Sequence, residues 1–137
     1  MAYFADLTLY SYIRGNAKGE LNIGWLDRQY PFQTGPVSDG VLDVIFELCK
    51  TPVNLTRGVH ICNLCTEIKA NIHERNGTKI TLGGAEIRVK SKSGREYASP
   101  NMIYHYIKDH GYQPPQEFMD AVLDMVPSNY LRDDNLR

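Results

Sequence analysis

The chain has 137 residues and a mass of 15.6 kDa, the length of one domain. At that size roughly 68% of the unfolded surface can be buried, so a core needs no disulfides. Hydrophobic residues at 42% and charged residues at 23% exclude a disordered chain, a collagen-like repeat and a coiled coil, and a net charge of −1 leaves no global field to draw in nucleic acid or an anionic membrane.

The first 16 residues carry Tyr3, Phe4, Tyr10 and Tyr12 and read as an irregular arm or short helix. They lack a basic region ahead of an apolar stretch, so they do not form a secretory signal. No apolar run approaches the roughly 20 residues that span a bilayer. The expected location is the cytoplasm, where the three cysteines stay reduced. The sequons at Asn54 and Asn76 are then chance matches.

Leu21, Ile23 and Trp25 alternate with Asn22 and Gly24, the pattern of a half-buried strand. Pro31, Gly35 and Pro36 make residues 30–37 a loop. Ser38 then caps a helix whose apolar stripe is Val41, Leu42, Val44, Ile45, Leu48 and Cys49, with Asp39 and Asp43 near its N-terminus and Pro52 closing it. Cys49 reads as a small core residue. Gly58 to Cys62 is a short strand candidate with His60 and Cys62 on one face. His73 falls in a polar stretch and is expected to be exposed.

Residues 78–90 read as a hairpin folded about Gly83-Gly84, with Ile80 and Leu82 on one side and Ile87 and Val89 on the other. A turn at Ser93-Gly94 leads to a third strand around Tyr97. Ser99-Pro100 is a helix start, and Gly111 ends that helix. Pro114-Pro115 opens another, with Phe118, Ala121, Val122 and Met125 on one face and Pro127 as its stop; from about residue 128 the tail frays. The class is α+β: a small antiparallel sheet with about three helices, in a single domain over residues 1–137.

Cys62-Asn63-Leu64-Cys65 is the motif that carries chemistry. Two thiolates at that spacing can wrap one soft cation, because the turn aims both sulfurs at one point. A redox pair instead needs the first cysteine at a helix N-terminus inside a βαβ unit. The residues after Cys65 lack the periodicity of such a helix.

Zinc needs two more ligands. His105 and His110 stand at H-x4-H on one helix, inside the spacing window of Cys2His2 sites. Residues five apart on a regular helix point about 140° from each other, so His110 can join only if the last turn loosens, which Gly111 permits. His60 is the rival ligand. The 39 residues between Cys65 and His105 far exceed the about 12 of a DNA-reading finger, so the pattern indicates a zinc-stapled core.

Two segments, residues 52–65 (PVNLTRGVHICNLC) and 104–118 (YHYIKDHGYQPPQEF), together with Tyr3–Leu7 and Gly24–Asp27, resemble those of an uncharacterised family of small bacterial cytosolic proteins. The resemblance implies a bacterial origin and no established activity, and it fits Cys62, Cys65, His105 and His110 forming one metal site. Some bacterial proteins of this size are immunity partners of secreted toxins.

A zinc enzyme would keep one position open and place a base such as Asp109 or Glu67 beside it. No H-E-x-x-H, no deaminase pattern and no G-x-S-x-G occurs. Arg88, Lys90, Lys92 and Arg95 line up near a hairpin tip, and a charged edge that deters strand aggregation accounts for them better than nucleic-acid binding does. Nine tyrosines, one tryptophan and acids at Glu117, Asp120, Asp124, Asp133 and Asp134 suit a protein interface. The resulting expectation is structural Zn2+ held by Cys62, Cys65, His105 and His110 in a non-enzymatic domain that binds a protein partner, with a toxin as one candidate, and not a membrane. A nucleic-acid-associated zinc protein is the alternative, followed by a zinc-dependent or thiol-redox enzyme.

Overall fold

The computed structural model describes residues 3–10, 19–55, 60–67 and 71–125. In chain order the elements are β1 (Leu21–Asn22), α1 (Asp39–Lys50), β2 (Asn71–Arg75), β3 (Thr78–Leu82), β4 (Glu86–Lys90), β5 (Glu96–Pro100), α2 (Ile103–His110) and α3 (Gln116–Asp124). One sheet has the order β1-β5-β4, with β1 parallel to β5 and β4 antiparallel to it. The other is the antiparallel pair β2-β3. This is the α+β class expected, with the strands split between two sheets.

Helix α1 forms where the apolar stripe demands it. Ser38 Oγ accepts a hydrogen bond from Val41 N–H, and the buried face is Val41, Leu42, Val44, Ile45, Phe46 and Cys49. That face packs against α3 and α2 and the edges of β3 and β4. Ile87 and Val89 of β4, Tyr97 of β5 and Phe118 and Val122 of α3 complete one continuous core. A second cluster sits beneath the N-terminal arm. There Trp25 donates its indole N–H to the Ala98 carbonyl at 3.0 Å, and Phe4 meets the indole edge-on.

Three local expectations are corrected. Gly83-Gly84 is not a hairpin turn; it links two hairpins that lie in different sheets. The β2-β3 turn is Asn76-Gly77, where both φ angles are positive (52° and 82°), the backbone a two-residue hairpin loop requires. Ser99 and Pro100 do not start a helix but end β5, because proline forces the residue before it into extended backbone. Helix α2 begins three residues later, after Met102. His60–Cys62 is irregular chain rather than strand, while Gly58 and Val59 lie outside the described residues, as do Pro127 and the tail.

Of the basic residues of the stripe, Arg88 turns into the molecule, while Lys90, Lys92 and Arg95 stay on an exposed, charged edge. Arg88 bonds the buried Glu86 carboxylate at 2.8 Å, lies 3.7 Å from Glu20 and stacks over the Tyr10 ring. Tyr10 OH and Asn54 Nδ2 donate to the same Glu86 carboxylate. Arg95 pairs with Glu117, and Lys92 with Asp124, so the acids of α3 are partly neutralised by the β4-β5 turn. Removing one partner of a buried pair strands the other charge. Arg88→Met is therefore expected to destabilise the fold by about 3 kcal/mol. Urea denaturation would show this as a lowered midpoint, and an unchanged midpoint would refute the reading of Glu86 and Arg88 as a buried, coupled pair.

Candidate metal centre

The cysteine pair lies on the loop 60–67, which has no regular secondary structure and is held by specific contacts. His60 N–H donates to the Gly83 carbonyl at 2.8 Å, and Gly83 N–H donates to Asn101 Oδ1 at 2.9 Å. Gly83 has a φ of +110°, and a Cβ there would stand 2.3 Å from the His60 carbonyl oxygen. Only glycine fits that crossing. At the turn of the motif, Asn63 donates to Asp27 at 2.9 Å and accepts from Arg28 N–H at 3.2 Å. The backbone N–H groups of Leu64 and Cys65 turn back onto the Cys62 sulfur.

The histidines come from α2. His105 is fully buried, and His110 is the last helical residue. Gly111 caps the helix in the left-handed region, with φ 70°, and its N–H reaches back five residues to Tyr106 O rather than four. Tyr112 N–H bonds the same carbonyl at 3.1 Å. The last turn is thus one residue wider than an α-turn, which swings His110 toward the face of His105. This is the loosening that the H-x4-H spacing requires.

Cys62, Cys65, His105 and His110 meet at one point, their ligand atoms all within 4.8 Å of one another. Cys65 Sγ lies 3.2 Å from His105 Nε2 and 3.5 Å from His110 Nε2, and Cys62 Sγ lies 3.6 Å from His110 Nε2. The two Nε2 atoms are 3.2 Å apart. A tetrahedron built on zinc–sulfur bonds of about 2.3 Å and zinc–nitrogen bonds of about 2.0 Å has S–N edges of about 3.5 Å and N–N edges of about 3.3 Å. The donor set and its spacing therefore fit a tetrahedral cation. Burial pushes the Cys62 thiol up to about 11, so without a nearby positive charge it stays protonated at neutral pH.

His60, the rival ligand, does not belong to this cluster. His73 overturns its expectation: it lies half-buried on β2, with Nε2 at 3.0 Å from His105 Nδ1. Asp109 Oδ2 approaches the same Nδ1 at 3.1 Å. The buried Cys49 is a core residue, as expected, with its thiol at 3.6 Å from the Asn101 carbonyl. An open cleft of about 690 Å3 borders the centre, lined by Leu64, Cys65, Thr66, Glu67, Lys108, Asp109 and His110. The solvent-facing edge of the centre is thus the side of Cys65 and His110.

The model of a family described as a domain of unknown function (DUF7919) matches residues 2–123. No curated protein and no solved structure matches the chain. Among the described residues, no helix is long and apolar enough to cross a membrane.

The Gly83 crossing generates a prediction that leaves every donor in place. Gly83→Ala is expected to cost about 2 kcal/mol or more through backbone strain and contact with His60. The loop that carries Cys62 shifts with it, so zinc affinity is expected to fall in parallel. Chemical denaturation and a chelator competition read the two effects, and wild-type values in both would show that the crossing does not seat the loop.

Proposed function

Since the chain belongs to the DUF7919 family, whose description names no activity, we propose on its residues alone that it is a structural zinc protein with a non-enzymatic binding role. The observation that carries the reading is the convergence of Cys62, Cys65, His105 and His110 at tetrahedral spacing. Zinc there would tie the irregular loop 60–67 to α2 and replace the regular hydrogen bonding that the loop lacks. Four protein donors fill a tetrahedron and leave no position for substrate or water, which favours a structural over a catalytic role.

The partner we assign is another protein, met in the bacterial cytoplasm, with a toxin as the first candidate. The pairing of Arg88 with buried Glu86, and of Arg95 and Lys92 with acids of α3, supports this over nucleic acid, because it leaves the stripe with acidic neighbours that a phosphate backbone would meet. Leu9, Leu55 and Ile72 are exposed, and the Tyr3–Tyr30 stack offers further apolar area for an interface.

Protein purified without a nickel column is expected to carry one zinc per chain by plasma mass spectrometry. Cys62→Ser should abolish that zinc and lower the melting temperature together, by about 10 °C, whereas His60→Ala should leave zinc content intact. Zinc retained in Cys62→Ser would sink the assignment, and a halved content in His60→Ala would place His60 among the ligands. The partner class is tested by co-expression with toxin-like products of adjacent genes. Co-purification with relief of growth arrest supports it, and no rescue by any neighbour removes it.

A further inference from the structure

We propose that His73 is a positioning residue of the metal centre, through which binding of the cation and docking of the β2-β3 hairpin become one event. The proposal rests on the zinc reading above and adds a residue outside the four ligands.

His105 is buried with both ring nitrogens engaged. Its Nε2 faces Cys65 Sγ and His110 Nε2, each at 3.2 Å. Its Nδ1 faces His73 Nε2 at 3.0 Å and Asp109 Oδ2 at 3.1 Å. If Nε2 takes the metal, the proton of the neutral ring must sit on Nδ1, which then donates toward those two acceptors. His73 accepts on Nε2 and carries its own proton on Nδ1. Asp109 is half-exposed and stands on α2 itself, whereas His73 comes from a separate sheet and stacks edge-on against Tyr104. The ring of His105 is thereby held from outside its own helix.

The β3 side of the hairpin is held by apolar packing, with Leu82 in the core and Ile80 against it, whereas the inward face of β2 is polar and relies on contacts of this kind. Asn71, His73 and Arg75 alternate inward, while Ile72 and Glu74 point to solvent. Arg75 bonds Asp43 of α1 and Tyr104 OH of α2. Asn71 Nδ2 is buried with no partner among the described residues, which weakens the docking rather than holding it. Two polar anchors therefore seat β2, and one of them is the back of a metal ligand. Occupying the centre fixes the tautomer and orientation of His105 and so fixes the Nδ1–H donor that His73 Nε2 accepts.

The test measures zinc affinity by competition with a chromophoric chelator, together with zinc stoichiometry and stability of the zinc-free protein. Three proteins are compared: wild type, His73→Phe and His73→Gln. Phenylalanine keeps a ring against Tyr104 but no acceptor; glutamine restores an acceptor near the position of Nε2. His73→Phe is expected to keep one site but to bind zinc about tenfold more weakly, the low end for loss of such a partner because Asp109 remains. His73→Gln should recover most of that loss. Stability of the zinc-free proteins should be similar, which a merely structural role for His73 would not produce. In the wild type, removing zinc should lower hydrogen-exchange protection of the β2 amides while those of β4 and β5 keep theirs; this measurement stands even if His73→Phe does not fold.

Zinc affinity in His73→Phe within about twofold of wild type overturns the proposal and leaves the zinc reading intact. A second zinc per wild-type chain that His73→Phe loses overturns it too, by making His73 a ligand of another ion. Wild-type protein that binds no zinc removes the underlying reading itself.

Discussion

The convergence of two thiols and two imidazoles is the constraint on which the rest of this structure turns. Cys62 and Cys65 stand on chain with no helix or strand of its own, and His105 and His110 stand on a helix of only eight residues. Neither segment is long enough to orient itself. The loop is located by the Gly83 crossing and by Asn63, and the helix is widened at its end by Gly111. A cation at the meeting point would link an irregular loop to a short helix, so that its binding free energy would become folding free energy.

Charge is handled in the opposite way, by pairing within the fold. The lysine and arginine side chains around the β4-β5 turn and the acids of α3 answer one another, and Arg88 turns inward to Glu86. Of the basic stripe, only Arg88 is internal chemistry; Lys92 and Arg95 pair with acids of α3 at the surface. The exposed surface that remains near the centre is the cleft beside Cys65 and His110, bordered by Glu67, Lys108 and Asp109.

What could be read in advance follows from how local each signal is. The stripe of α1, its Ser38 cap and the α3 face are legible because apolar periodicity and capping act over a few residues. The four candidate ligands are legible from spacing, including the need for a loosened turn at Gly111, while the choice of His110 over His60 needs the fold. The β4-β5 hairpin is legible from Ser93-Gly94, but the partner of β3 is not: Gly83-Gly84 resembles a turn, yet its glycine exists to let His60 cross, a contact between residues 23 positions apart. β2 carries no strand signal in the sequence because its inward residues are Asn71, His73 and Arg75, and its one large apolar residue, Ile72, faces water. Asn76-Gly77 is the sequence signal for that hairpin. Once β2 is in place, His73 follows from its register, since every second residue of the strand faces α2 and α1.

The central claim is that one cation is held by two sulfurs and two ring nitrogens. X-ray absorption at the zinc edge on the zinc-loaded protein tests it most directly. The account predicts two sulfur neighbours at about 2.3 Å and two nitrogen neighbours at about 2.0 Å, with the outer-shell scattering of imidazole rings. A single sulfur, or a light-atom shell without imidazole scattering, would contradict it.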